Sequence, residues 1–363
     1  MIRFFKNEKA FITALFAILI ITLLEKIPAV FENNLLEVFV FLIVFMVIIY
    51  AAIGVVHHAE LIAFKLGEPF GTMVLTFSAV TVEVIMIAAM MMNGDSDPTL
   101  ARDTIFATLM ILINALIGFV ILVGGFRYGE QKYNIKSSNS YLSMIVGIIG
   151  LGMFVPNLIK IEAYYTYQGF LILALLTLYF FFIRMQSREH NYYFTFKKLS
   201  DEEGHRIKTG DRKKINSIYH TVMLLLTIVA ISLLAENLAV FVDDGIAKLS
   251  MPDAVAGLLI SIIIVTPEGI TAIRAGLSND MQRVINISLG SVLSTVSLTI
   301  PVVIIVGMLY GKEIILGLTV VQSGMIIISL LVSILTCKDG ETNALQGFIH
   351  IILFIAFVLM IFL

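Results

Sequence analysis

The stretch PFGTMVLTFSAVTVEVIMIAAMMMN (residues 69–93) is apolar along almost its whole length and carries one carboxylate, Glu83, near its middle. About 20 apolar residues are enough for a helix to cross a lipid bilayer. A carboxylate inside such a run is costly in hydrocarbon, and it marks an ion or proton path in many membrane proteins. This stretch therefore predicts a membrane helix that carries a functional acid.

The composition of the whole chain agrees with a membrane protein. Of its 363 residues, 59% are hydrophobic and 14% are charged, whereas soluble domains have roughly 45–50% apolar and about 25% charged residues. The composition argues against a soluble enzyme, a nucleic-acid-binding protein and a secreted disulfide scaffold. Cys337 is the only cysteine, which excludes an internal disulfide and a multi-cysteine metal cluster.

Similar apolar stretches recur along the chain. They are continuously apolar rather than alternating, which favours helices over a barrel. The eleven predicted spans are 10–30, 36–57, 69–93, 103–126, 141–159, 166–184, 215–242, 253–276, 284–309, 313–336 and 344–363. The predicted class is an all-α polytopic membrane protein in the cell membrane.

Basic residues orient these spans. With the N-terminus inside, 19 of the 24 lysine and arginine residues fall in inside loops. Because inside loops of membrane proteins are enriched in basic residues, the count predicts a cytoplasmic N-terminus and an outside C-terminus.

One long polar segment divides the chain. We expect an N-terminal transmembrane helix in 1–35, a first five-helix repeat in 36–184, a cytoplasmic linker loop in 185–214 and a second five-helix repeat in 215–363. Asp201, Glu202 and Glu203 in the linker are interpreted as a solvated charge cluster.

The two halves share a pattern that indicates duplication. Residues 65–69 and 248–252 both read K-L-x-x-P, and each is followed by T-x-E at 81–83 and 266–268. Each half has five spans, an odd number, so the second copy enters the membrane from the opposite side. Inverted repeats with a site near the membrane midplane are typical of secondary transporters.

Glu83 and Glu268 are the mid-helix carboxylates at matching positions of the two repeats. We interpret them as the groups that bind a transported cation or a competing proton. The alternative is that each is a structural acid paired with a buried base.

Further oxygen donors are needed because Ca²⁺ takes six to eight oxygen ligands and two glutamates supply at most four. Pro267 lacks an N–H, so we expect the helix to break there and to free the carbonyl of Ile263. Additional candidates are polar residues in the same spans, for which ordinary interhelical packing is the alternative. They are Thr81, Asn114, Thr266, Ser291, Ser294 and Thr295.

Three other titratable residues attract attention. Glu236 lies near the outer end of its span, where it lines an outer vestibule or the proton path, or is simply an interfacial acid. His57 and His58 end the second span on the inner side. Histidine can sense pH, but we interpret this pair as surface residues without a specific ligand.

Motifs of soluble enzymes do not occur: H-E-x-x-H, G-x-S-x-G and the Walker phosphate loop are all missing from the sequence. An intramembrane lipid-modifying enzyme would need a polar headgroup-binding motif, and none is visible. We therefore expect neither an enzyme nor a resident cofactor.

Three segments resemble the cation/Ca²⁺ exchanger superfamily, in its cation/proton branch, and most closely the ChaA-type calcium/proton antiporters. They are GEPFGTMVLTFSAVTVEVIMI (67–87), LIGFVILVGGFRYGEQKYN (116–134) and IIVTPEGITAIRAGLSNDMQRVINISLGSVLSTVSLTIPVV (263–303). In that family, each repeat has a G-N-x-x-E core whose glutamate binds the cation and the proton. Glu83 and Glu268 match those glutamates, Glu236 matches the family's S-E-x-L acid, and Ser294 matches a polar position near the site.

This chain departs from the family pattern before both glutamates. Ala79-Val80 and Ile264-Val265 stand where the family has Gly-Asn, and Ser294 stands where glutamine is common. The resemblance implies exchange of Ca²⁺ for protons by alternating access within the lipid bilayer. The alternative is a Na⁺(K⁺)/H⁺ antiporter of the same fold.

Overall fold

The computed structural model describes residues 8–24, 34–66, 70–92, 97–194 and 216–363. Within these ranges the chain is helical almost throughout, and its β structure is one antiparallel pair, Gln131–Lys132 with Glu341–Thr342. The predicted all-α class is confirmed. Asp201, Glu202 and Glu203 lie outside the described residues.

Eleven apolar helices occur in the described ranges, as predicted. They are α1 (Lys9–Leu24), α2 (Asn34–Leu66), α3 (Phe70–Met92), α4 (Leu100–Tyr128), α5 (Ile135–Leu158), α6 (Tyr164–Glu189), α7 (Ser217–Leu249), α8 (Ala254–Leu277), α9 (Met281–Tyr310), α10 (Val320–Thr336) and α11 (Ala344–Ile361). Nine of them are long and apolar enough to cross a membrane, and α1 and α10 are shorter.

Several helices continue beyond the apolar runs that predicted them. Helix α2 extends to Leu66 rather than to residue 57, α7 to Leu249 rather than to 242, and α6 to Glu189 rather than to 184. Hydropathy marks only the part of a helix that suits lipid, whereas backbone hydrogen bonding continues into polar turns. The expectation that His57 and His58 end their span is therefore wrong.

The chain forms two compact units. The first contains residues 1–96 and 200–256, and the second contains residues 97–199 and 257–363. Helix α8 has its first three residues in the first unit and the remainder in the second.

In the first unit, α7 is the central helix among the described elements and packs against α1, α2 and α3. Helix α2 also contacts α1 and α3. Near one end, the ammonium group of Lys248 lies 2.6 Å from both Glu37 Oε2 and Asp244 Oδ2. This ion-paired group connects the beginning of α2 to the end of α7.

In the second unit, α4 is largely buried and packs against α9, α10 and α11. Glycines permit the closest approach: a β-carbon added at Gly118 would lie 2.7 Å from the β-carbon of His350. Small residues at helix contacts let two backbones approach closely inside a membrane. Helix α11 therefore packs directly on α4.

Four described helices of the second unit contain π-helical turns, at Ile111–Leu116 in α4, Gly150–Phe154 in α5, Met185–Glu189 in α6 and Thr295–Thr299 in α9. The turns in α4 and α9 occur in the third helix of each predicted repeat. A π-helical turn adds a residue to a helical turn, and such turns are frequent at functional sites.

Candidate functional site

Glu83 lies on α3 in the first unit, and its residue is only 2% exposed. Thr81, two residues earlier, is exposed and donates its hydroxyl proton to the carbonyl oxygen of Phe77 at 2.6 Å. Residues two apart on a helix point in different directions. The described structure therefore buries the carboxylate but directs the Thr81 side chain elsewhere.

Glu236 lies on α7, also in the first unit, and it is exposed within the described structure. An exposed carboxylate on a membrane helix suits a wet vestibule better than a buried ion-pair role.

Glu268 lies on α8 in the second unit, and its principal described partner comes from α9. The Ser291 hydroxyl donates a hydrogen bond to Glu268 Oε2. The Ser294 hydroxyl in turn donates to the backbone oxygen of Ser291 at 3.0 Å. Three residues that the sequence singled out thus meet in a chain of hydrogen bonds.

Thr295 is 4% exposed and begins the π-helical turn directly after this pair of serines. The turn is thus next to Ser294 in sequence. Its position places irregular backbone immediately beyond the residues that contact the Glu268 carboxylate.

Thr266, a polar neighbour of Glu268 on its own helix, makes its hydrogen bond within that helix. Thr266 donates to the carbonyl oxygen of Ile262 at 2.5 Å, and Ile263 is fully buried. Contrary to the prediction, α8 does not break at Pro267 but runs through it. One missing N–H costs a single helical hydrogen bond, and a membrane helix can retain its path when neighbouring groups compensate.

Small residues hold α8 against α4. Ser261 donates to the carbonyl oxygen of Thr104 at 2.8 Å and accepts from the Thr108 hydroxyl at 3.0 Å. A β-carbon added at Gly257 would lie 2.8 Å from the Thr104 backbone nitrogen, and one at Gly269 would lie 3.8 Å from Leu116. This line of contacts fixes the position of Glu268 along α4.

Asn114 is buried in a different polar network from that of Glu268. Its Oδ1 lies 3.0 Å from His350 Nδ1, and its Nδ2 donates to Ser329 Oγ at 2.8 Å. The Thr336 hydroxyl lies 3.2 Å from His350 Nε2. A His350 tautomer protonated at Nδ1 satisfies both ring contacts, since Asn114 Oδ1 can only accept.

His350 was not among the predicted site residues. It is fully buried on α11, where the sequence was interpreted only as an apolar span. The signal was one imidazole inside an otherwise apolar run, which is the pattern that marks an intramembrane polar network.

Side chains that could ligate a metal ion do not cluster among the described residues. No group of three or more His, Cys, Asp or Glu side chains that could hold a metal ion occurs among them. Glu83 and Glu268 therefore do not belong to a ready-made acidic cluster in the described part of the chain.

Known proteins agree with this architecture. A family model described as "Sodium/calcium exchanger protein" matches residues 36–188 and 219–363. The sodium-potassium/proton antiporter ChaA of Escherichia coli (strain K12) is 31% identical over 339 residues, covering 93% of this chain and 91% of that protein. A Ca²⁺/H⁺ antiporter of Aphanothece halophytica is 22% identical over 325 residues, covering 86% of each chain.

The fold is also similar to a solved structure. Native YfkE superimposes with a TM-score of 0.74 at 14% identity, covering 96% of this chain and 99% of that one. The match to the family model extends over most of the chain, and it includes the helices that carry Glu83, Glu236 and Glu268. This chain therefore belongs to the sodium/calcium exchanger family and is a multi-pass membrane antiporter.

Proposed function

We propose that this chain moves Ca²⁺ across a membrane in exchange for protons, and that Glu83 and Glu268 bind either ion. The observation that carries the proposal is a carboxylate near the middle of an apolar membrane helix, repeated at matching positions of two halves. Such acids are expensive in lipid and are retained where they bind an ion or a proton.

Charge balance supports a divalent substrate. Two ionised glutamates carry a charge of −2, and an uncompensated charge is costly where water is scarce. One Ca²⁺ or two protons cancel that charge. A single Na⁺ or K⁺ leaves −1, so a monovalent mode needs an additional proton or cation.

The contact between Glu268 and Ser291 supports a role in binding. A serine hydroxyl donates one proton and also has acceptor lone pairs. It can therefore donate to the ionised carboxylate when the cation is absent and offer its oxygen to a cation when one is present. Ser294 holds the backbone oxygen of Ser291, which orients this residue beside the carboxylate.

Exchange of Na⁺ or K⁺ for protons is the second candidate. Asn114 Oδ1 already faces His350, so one predicted cation ligand is committed elsewhere. A smaller oxygen set disfavours Ca²⁺, which takes six to eight oxygen ligands. The names of the two relatives divide in the same way, one being a sodium-potassium/proton antiporter and the other a Ca²⁺/H⁺ antiporter.

The proposed orientation places the N-terminus in the cytoplasm and the C-terminus outside. It rests on the asymmetric distribution of lysine and arginine along the sequence. Ca²⁺ then leaves the cytoplasm as protons enter, and the proton gradient supplies the driving force.

Everted membrane vesicles with an acidic interior test the proposal. Ca²⁺, Na⁺ and K⁺ are added separately, and collapse of the pH gradient is followed with a fluorescent dye. We expect collapse with Ca²⁺ in wild-type vesicles and none with Glu268→Gln. Collapse with Na⁺ or K⁺ alone would favour the second candidate, and normal exchange by Glu268→Gln would refute the role of this carboxylate.

A further inference from the structure

A buried polar cluster occurs in the first unit, away from the residues discussed above. We call Glu8, His58, Tyr219 and His220 the Glu8 cluster. His58 Nε2 lies 3.0 Å from Glu8 Oε2, and His58 Nδ1 lies 3.0 Å from His220 Nδ1. The Tyr219 hydroxyl donates to Glu8 Oε1. The cluster thus joins the residue before α1 to both α2 and α7.

Two members of the Glu8 cluster are buried, and Tyr219 and His220 are half-buried. Glu8 is 4% exposed and His58 is 5% exposed. Buried charged groups are rare unless they are paired and hydrogen-bonded. Glu8 also precedes the residues matched by the family model, which begin at residue 36. The cluster therefore uses a residue that the family match does not include.

Counting protons shows what the geometry permits. An ionised Glu8 needs a proton on His58 Nε2, and the contact between the two Nδ1 atoms needs one proton between them. With both imidazoles neutral, these requirements are met and the cluster has a net charge of −1. One added proton makes one imidazole cationic, cancels the charge of Glu8, and still leaves one proton between the Nδ1 atoms.

A second added proton cannot be accommodated in the same arrangement. On the other imidazole it would place two N–H groups face to face at 3.0 Å. On Glu8 it would remove the anion to which His58 and Tyr219 are bonded. Each outcome removes a contact that connects α1 to α2 or α2 to α7.

We propose that the Glu8 cluster is a proton-binding site that fastens α1 to α2 and α7, and that a second bound proton breaks one of these contacts and weakens the attachment of α1. Histidine has an ordinary pKa near 6.5, and because the first added proton leaves a cationic imidazole in the cluster, the second binds at a lower pH than the first. The titratable groups facing His58 are Glu8 from the segment before α1, His57 from α2 and His220 from α7, and Tyr219 from α7 contacts Glu8.

Weaker attachment of α1 would affect transport through shared helices. Helix α7 carries Glu236 and packs against α3, which carries Glu83. This consequence rests on the proposed function, whereas the weaker attachment of α1 does not. Acidification is expected to loosen α3 and α7, which carry Glu83 and Glu236, and to lower the exchange rate.

Amide hydrogen exchange of the full chain in detergent tests the proposal independently of transport. Exchange of peptides from α1 is measured between pH 8 and pH 5 and corrected for the intrinsic effect of pH on amide exchange. We expect protection of α1 to fall about tenfold on acidification, which is the size expected for losing one hydrogen bond to a charged group. Peptides from α11 serve as an internal reference.

Two histidine variants make the test specific. In His220→Gln, the amide can donate to or accept from His58 Nδ1 but cannot be protonated, so the loss of protection should move about one pH unit or more to the acid side. His57→Gln is the matched control, because His57 is adjacent but exposed. Its midpoint should lie much closer to the wild-type value than that of His220→Gln does.

The outcomes of these experiments distinguish the proton site from the proposed transport function. Flat protection of α1 in the wild type, or equal behaviour of His57→Gln and His220→Gln, would overturn the proton site. The wild-type measurement stands alone if His220→Gln fails to fold. A protein that shows the acid-induced loosening of α1 but exchanges no cation would refute the proposed function and leave the proton site standing.

Discussion

Replacing Ser291 by alanine removes the hydroxyl that donates to Glu268 Oε2 and leaves the carboxylate in place. The same oxygen can ligate a bound cation, and groups that orient a ligating carboxylate typically contribute about 10- to 100-fold to metal affinity. Losing the hydrogen bond of the cation-free state would by itself favour binding, so the expected effect comes from the bound state, and we expect the half-saturating Ca²⁺ concentration to rise roughly 10- to 100-fold.

The matched control is Ser294→Ala. Both serines lie on α9 three residues apart, but the Ser294 hydroxyl donates to the backbone oxygen of Ser291 rather than to the carboxylate. Ca²⁺-dependent collapse of the pH gradient in everted vesicles gives the half-saturating concentration for each variant. We expect a smaller change for Ser294→Ala, and Ser291→Thr should retain most of the wild-type affinity because it keeps a hydroxyl.

Unchanged Ca²⁺ dependence in Ser291→Ala would refute this reasoning, since the variant removes the described hydrogen bond to Glu268 from α9. A larger loss in Ser294→Ala than in Ser291→Ala would also refute it. In that case the effect would come from the backbone of α9 rather than from the carboxylate.

Three further predictions concern other parts of the chain. Glu83→Gln should abolish exchange while the protein still inserts, and Glu236→Gln should only weaken exchange. Vesicle transport normalised to protein content checks both variants. Full activity of Glu83→Gln would contradict the assignment of Glu83 as an ion-binding group. Gly347→Ala puts a β-carbon 2.4 Å from a backbone nitrogen of α4 and should cost about 1–3 kcal/mol. Gly147→Ala meets no heavy atom within 4 Å and should be neutral or slightly stabilising, as thermal unfolding in detergent would reveal. Burial raises the pKa of the Cys337 thiol to about 11. Maleimide labelling of the folded protein should therefore be slow at pH 7, and the labelling rate should rise roughly tenfold per pH unit up to pH 9. Rapid labelling at pH 7 would contradict this prediction.

Sequence patterns predicted the parts of the structure that depend on local hydropathy. The eleven apolar stretches correspond to the eleven apolar helices of the described ranges. The burial of Glu83 follows from its place in an apolar run, and the pairing of Glu268 with Ser291 joins two residues already singled out. The apolar runs and the position of Glu83 within one of them are encoded along single helices, where periodicity and composition are informative, whereas the contact between Glu268 and Ser291 joins two helices across 23 residues.

Contacts between distant helices could not be obtained in this way. His58 meets Glu8 across 50 residues and His220 across 162 residues, so nothing in the local sequence distinguishes it from a surface histidine. The pairing of Asn114 with His350 spans 236 residues. Such networks depend on how helices pack, and a single sequence does not specify that packing.

Pro267 illustrates a further limit of prediction from the sequence. The residue is a reliable sign of a missing hydrogen bond, but it does not specify whether a helix breaks. Helix α8 continues through it, with the Thr271 hydroxyl donating to the Pro267 carbonyl oxygen at 3.2 Å. Packing against α4 supplies support that backbone propensity alone does not include.

Competition between Ca²⁺ and protons tests the central claim most directly. Ca²⁺ uptake is measured against Ca²⁺ concentration at several pH values on both sides of the membrane, in wild-type vesicles and in vesicles that contain Glu268→Gln. If both ions bind the same carboxylates, acidification will raise the half-saturating Ca²⁺ concentration, and saturating Ca²⁺ will restore the maximal rate. Inhibition by protons that saturating Ca²⁺ does not relieve would contradict the account.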